Sequence, residues 1–229
     1  MIEAFRLGVF SRGKILWDGL DFAFDDGAVW VAVGPPSSGK TLLFSILRGE
    51  RRPDAGDVLV SGESLYRAGA SVARSFRASC GCIPERFEGD ARLTVEDLFR
   101  RSALACGGIP GKERIERSER LLSMVGLSGA ENHRLSSLSG SERARAVLAA
   151  ELLRTPKVLF ADGMVLSAGD PFGEMLGGLF RALAGEGNTI LLAERQLPAR
   201  WSAVAGEGKP VGPFRIHRLP PIAGKEGAA

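Results

Sequence analysis

One short stretch constrains this chain more than any other. Val29-Trp30-Val31-Ala32-Val33 is a continuous apolar run, the pattern of a strand covered on both faces. It leads into Gly34-Pro35-Pro36-Ser37-Ser38-Gly39-Lys40-Thr41, and helical character begins at Thr41 and runs to Leu47. Strand, G-x-x-x-x-G-K-[ST] loop and helix in that order form a phosphate cradle. Successive backbone N–H groups of the loop and the first helical turn converge on one point, where an anion replaces the missing partners. Lys40 supplies a mobile positive charge for the outer phosphates, and the Thr41 hydroxyl suits Mg²⁺.

The rest of the chain fits an α/β domain around that unit. Alternation in 2–10 and 14–24 (Ile15, Trp17, Leu20, Phe22, Phe24) predicts antiparallel strands. Further strands are expected at 57–60, 79–83, 158–161, 190–193 and 214–219, with a helix at 143–153 that Pro156 stops. Strands alternating with helices imply a mostly parallel central sheet. Residues 94–127 are mostly helical and broken at Cys106–Gly111, so a small helical lobe of about 90–135 is expected between two sheet strands. Residues 1–219 read as one domain and 220–229 as a loose tail.

Composition removes several classes. Thirty Lys and Arg against 27 Asp and Glu leave a net charge of +3, with the basic pairs Arg51-Arg52 and Arg100-Arg101 isolated. That is no nucleic-acid footprint. No run of 18 apolar residues occurs, and Met1–Arg6 lacks a signal-peptide pattern. Cys80, Cys82 and Cys106 form no disulfide framework and read as core thiols of a reducing compartment. A cytoplasmic location follows as an expectation.

A second acidic element follows one of the buried runs. Val158-Leu159-Phe160-Ala161 ends in Asp162, placed to hold Mg²⁺ through water beside the cradle. Leu138-Ser139-Gly140-Ser141-Glu142-Arg143 then precedes Asp162 by 23 residues and opens a helix. In this order and spacing the chain, over about residues 2–219, resembles the ATP-binding cassettes of ABC ATPases, whose signature is usually LSGGQ. Arg51–Gly56 followed by Val58 and Ser61-Gly62 is similar to the family segment after the first helix, and the short lobe is similar to cassettes of the FtsE, LolD and MacB type.

The resemblance implies a P-loop NTPase fold of ABC type, with an antiparallel β subdomain and a helical subdomain. It implies ATP and Mg²⁺ as ligands, with Thr41, Asp162 and Glu85 at the metal. It implies a dimer of cassettes, homo- or heteromeric, in which Leu138–Glu142 meets the nucleotide of the partner. Ser139 and Gly140 at a helix N-terminus suit an anion, and the same Ser139 is a natural N-cap. Phe10 stands where the family stacks an aromatic on adenine; its competing role is core packing on the first strand. A separate membrane-spanning subunit is implied, docking near Glu85 and the lobe, with Phe87, Leu98 and Phe99 as candidate contacts or lobe core. The location then becomes peripheral, on the inner face of the cell membrane.

Three positions depart from the family pattern. The Glu that follows the strand-ending Asp is replaced by Gly163, the switch His by Arg195 and the metal-touching Gln by Glu85. Ser167-Ala168-Gly169-Asp170 keeps the form of the family's SALD loop. A general base and a positioning group each contribute about 10²–10⁴-fold in rate. The expectation is therefore ATP binding with slow or absent hydrolysis, Arg195 clamping the terminal phosphate and Glu85 serving as an Mg²⁺ ligand or substitute base. A non-transport scaffold that dimerises on ATP is the alternative. A small-molecule kinase is disfavoured by the Leu138–Arg143 segment and by the lack of an acceptor-site constellation.

Overall fold

Apolar runs with no polar alternation can be satisfied only between two layers, and the strands of the central sheet obey this rule. In a computed structural model the chain is described over residues 1–11, 14–87, 89–90, 92–164, 170–196 and 214–219. The elements in order are β1 (Ile2–Ser11), β2 (Lys14–Phe24), β3 (Val29–Val33), α1 (Lys40–Leu47), β4 (Ala55–Val60), β5 (Glu63–Ser64), α2 (Ala70–Ser79) and β6 (Cys80–Ile83). The helical lobe α3 (Val95–Ala105) and α4 (Gly111–Met124) follows, then α5 (Gly140–Leu152), β7 (Val158–Asp162), α6 (Asp170–Gly185), β8 (Thr189–Glu194) and β9 (Phe214–Arg218).

Two sheets result. A five-stranded sheet runs β6-β7-β8-β3-β9 with every neighbouring pair parallel, and a four-stranded antiparallel sheet runs β2-β1-β4-β5. β7 is buried at all five positions and β8 at all six, as strands between two layers must be. One core cluster joins one face of the parallel sheet to α3, α4, α5 and α6, through Phe99, Leu122, Leu148, Leu176 and Phe180. A second joins the other face to α1, α2 and the antiparallel sheet, through Trp17, Leu43, Ile46, Phe76 and Phe160.

Most expected elements appear, with shifted ends. The helix expected from 143 begins at Gly140, because Ser139 caps it, and the strand expected from 57 begins at Ala55. Helices α2 and α6 were not legible from hydrophobic pattern. Two residue readings are corrected. Phe99 is fully buried in the lobe core and offers no contact surface, while Phe87 and Leu98 are half-buried against the same core. Only Cys80 of the three cysteines is a core thiol; Cys82 is half-buried and Cys106 is exposed at the end of α3, where the chain turns through Gly107 and Gly108. Residues 220–229 and the Ser167–Gly169 part of the SALD-like loop lie outside the described residues.

Candidate functional site

The parallel sheet brings the C-terminal ends of β3, β7 and β8 to one edge, next to the N-terminus of α1. A chain reversal sharp enough to pass from β3 into α1 needs left-handed backbone. It occurs at Ser37 (φ +66°) and at Gly39 (φ +89°), which is the residue before the helix. Gly39 also lies against the Trp17 ring, so its missing side chain lets β2 close over the loop. Gly34 N–H donates to Glu194 O at 3.1 Å, tying the loop to the end of β8.

Lys40 is buried at 8% exposure and folds back over its own loop. Its ammonium donates to Gly34 O at 2.6 Å, Pro35 O at 2.9 Å and Ser38 Oγ at 3.2 Å. Burial holds its pKa below the ordinary lysine value, opposed by the carboxylates of Asp162, Glu85 and Glu194. The Thr41 hydroxyl donates to Asp162 Oδ2 at 2.5 Å. Burial raises the Asp162 pKa, and that hydrogen bond partly counters the rise. A hydroxyl and a carboxylate already in contact, 121 residues apart, are two oxygen donors of the kind Mg²⁺ requires, so the residues present fit that ion.

Around these groups lies a cleft of about 580 Å³. Pro36, Ser37, Gly39, Lys40, Thr41, Asp162, Gly163, Arg195 and Glu85 all line it, as do Leu42, Arg86, Ala193 and Glu194. The predicted cradle, acidic residue and three departing positions are thus one site. Gly163 has φ +63° and donates its N–H to Ala193 O at 2.7 Å; it carries no side chain toward the cleft. Arg195 NH2 donates to Glu85 Oε1 at 2.6 Å.

Two groups of expected residues stand apart from the cleft. Leu138–Glu142 does not line it. Ser139 caps α5, its Oγ accepting from Glu142 N–H, while the Glu142 carboxylate accepts from Ser139 N–H at 2.8 Å and from Ser139 Oγ at 2.7 Å. These bonds hold the Glu142 pKa below the ordinary carboxylate value. Ser139 and Gly140 are exposed. Phe10 lies on β1 at 48% exposure, which overturns its core-packing reading.

The sequence reading missed Glu194 and Arg86. Glu194 is 1% exposed at the end of β8. Its signal was available: it is the one charged residue closing the apolar run Thr189–Ala193, as Asp162 closes its own.

The model of the ABC transporter family matches residues 17–165. The chain belongs to the ABC transporter ATP-binding cassette family. An uncharacterised ABC transporter ATP-binding protein of Thermotoga maritima is 31% identical over 180 residues, 78% of this chain and 76% of that protein. The lipoprotein-releasing system ATP-binding protein LolD 1 of Rhodopirellula baltica is 31% identical, over 76% of each. The methionine import ATP-binding protein MetN of Geobacillus kaustophilus is 32% identical over 67% of this chain, which spans 44% of that protein. Among solved structures, the cassette MJ0796 in a dimeric post-hydrolysis state with ADP and phosphate superposes with a TM-score of 0.76 at 21% identity, over 86% of this chain and 88% of the other. The cassette thus has the ABC fold, with its parallel sheet, antiparallel sheet and helical lobe.

Proposed function

We propose that this cassette is the nucleotide-binding subunit of a transporter-type membrane complex and that it binds Mg-ATP in the cleft but hydrolyses it slowly. The observation that carries the reading is the state of residue 163. The cradle, Lys40, Thr41 and Asp162 are assembled for a phosphate chain and its metal. Beside them the backbone turns at a glycine with φ +63°, which has no carboxylate of its own, and the nearby Glu85 carboxylate is engaged by Arg195.

Each retained group has a binding role. The loop N–H groups and the α1 N-terminus hold the phosphates, and Lys40 exchanges its loop carbonyls for phosphate oxygens. Thr41 and Asp162 hold Mg²⁺, which supplies charge neutralisation on the phosphates when bound. Glu85 lines the same cleft as a third oxygen donor. Ser139 and Gly140, exposed at the N-terminus of α5 and outside this chain's own cleft, are free to meet the nucleotide of a second cassette.

A membrane partner fits a second feature. A groove of about 360 Å³ lies between residues 83–87 and α5, floored by Ile83, Phe87, Ala144 and Val147 and edged by Glu85, Arg86 and Arg143. Glu85 and Arg86 line both this groove and the nucleotide cleft. Among the described residues no helix is long and apolar enough to cross a membrane. The relatives named for methionine import and lipoprotein release support the transporter reading. The missing general base supports the scaffold reading; association with detergent-extracted membranes against purely soluble partners separates the two.

The test is steady-state ATPase of the purified cassette beside equilibrium ATP binding. Binding with negligible turnover is expected. The restoring variant must change three positions together, Glu85→Gln, Gly163→Glu and Arg195→His, because a side chain at 163 meets Glu85 at 3.0 Å. Brisk turnover by the unaltered chain would overturn the slow-hydrolysis reading, and absent ATP binding would overturn the nucleotide reading itself.

A further inference from the structure

The three departing positions make one structure. Glu85 follows β6 and Arg195 follows β8, and β7 lies between those strands. The 2.6 Å ion pair between them therefore passes over the end of β7, at Gly163. It passes over bare backbone: a Cβ on Gly163 would stand 3.0 Å from Glu85 Cγ and 3.6 Å from Glu85 Cδ. Glycine at 163 is thus a condition of the strap as well as the loss of a carboxylate. All three residues line the nucleotide cleft together with Lys40, Thr41 and Asp162.

The strap is weak by construction. The Arg195 and Glu85 side chains are 58% and 44% exposed, and ion pairs in that setting are screened by water and contribute little. A phosphate offers guanidinium a doubly charged, bidentate acceptor, which is a stronger partner than one carboxylate oxygen. The loop and the helix N-terminus account for the inner phosphates of a bound nucleotide, so the outermost one is left to the groups at the strand ends.

We infer that the Glu85–Arg195 strap over Gly163 selects nucleoside triphosphate over diphosphate: Arg195 exchanges Glu85 for the terminal phosphate, and Glu85 is released into the cleft. A diphosphate leaves the pair closed. The exchange leaves the Glu85 carboxylate in the cleft that Thr41 and Asp162 also line. The inference rests on the nucleotide reading above and deepens it.

Equilibrium binding of ATP and of ADP to the full chain tests it, for the unaltered protein, Arg195→Gln, Glu85→Gln and Gly163→Ala. Arg195→Gln should weaken ATP binding about tenfold, the loss of a charged hydrogen bond, and leave ADP binding within about twofold. Glu85→Gln frees Arg195 without removing it and should tighten ATP binding in Mg²⁺-free buffer by a few-fold, again with ADP unchanged. Gly163→Ala crowds Glu85 without altering any charge but also strains a backbone at φ +63°, so it is read by the ATP-to-ADP ratio alone, which should rise. Equal losses for ATP and ADP in Arg195→Gln would reduce Arg195 to a general attraction for anions and overturn the strap. An unaltered ATP-to-ADP ratio in all three variants would also overturn it while leaving the nucleotide reading intact. Failure of the unaltered chain to bind either nucleotide would overturn both.

Discussion

At the scale of single residues the site is held in a state that disfavours its own charges. Asp162 is 7% exposed and its pKa is raised, chiefly by burial. A raised carboxylate pKa means that the folded state binds its proton more tightly than the unfolded state. Its stability contribution is therefore present at acid pH and is lost as pH rises through the raised value. At neutral pH the ionised Asp162 costs stability. Asp162→Asn keeps an acceptor for the Thr41 hydroxyl and removes that cost. Thermal denaturation should show a higher melting temperature for the variant than for the unaltered chain at pH 7. The gain should shrink as pH falls toward 4, while Mg²⁺-dependent ATP binding is lost. Stability traded for a ligand site is the usual pattern at such positions.

At the scale of elements, α5 carries the contacts that bind the helical lobe to the sheet. Its first turn is closed by the reciprocal bonds of Ser139 and Glu142. Ser139→Ala should cost about 1 kcal/mol through loss of the cap, read as a lower melting temperature. It should leave ATP binding by the single cassette intact, since Ser139 is outside the cleft, and abolish ATP-driven association in a sedimentation experiment. One turn further, Arg145 is 4% exposed and its guanidinium donates to Val125 O at 2.8 Å, satisfying the C-terminal end of α4. The same guanidinium lies 3.6 Å from the centre of the Phe172 ring on α6. Burial holds its pKa below the ordinary arginine value. Arg145→Met retains the stem and removes the donors. The carbonyls it leaves behind should lower stability by about 2 kcal/mol, visible as a lower urea midpoint and earlier proteolysis between α3 and α4.

At the scale of the whole molecule, the parallel sheet orients the site and the antiparallel sheet presses on it. Trp17 of β2 packs against the cradle glycine Gly39, so the β subdomain is seated directly on the phosphate loop. The signature turn at Ser139-Gly140 and the cleft are separate surfaces of one chain. In the dimer proposed above, two cassettes related by a twofold axis would each bring this turn to the other's cleft. Sedimentation of the cassette should therefore show a monomer without nucleotide and a dimer with Mg-ATP, and slow turnover should make that dimer long-lived. A monomer under both conditions, with ATP bound, would direct the search to a different partner cassette.

The chemistry of this cassette was legible wherever it depends on local order. A strand, a glycine-rich turn and a helix N-terminus are consecutive in the chain, so residues 29–47 announce the cradle by themselves. An apolar run that ends in one acidic residue, as at Asp162, announces a strand end. Helices α2 and α6 were not legible. The first is polar at half of its ten residues, and the second carries Gly173, Gly177 and Gly178, whose low helix propensity is offset by packing of Leu176 and Phe180 in the core. From the sequence, through the family resemblance, comes the expectation that Gly163, Arg195 and Glu85 stand where the family carries other residues. Only the tertiary structure decided that the three changes meet, because contact across β7 depends on strand order, and strand order is set by burial of whole faces, not by neighbours along the chain.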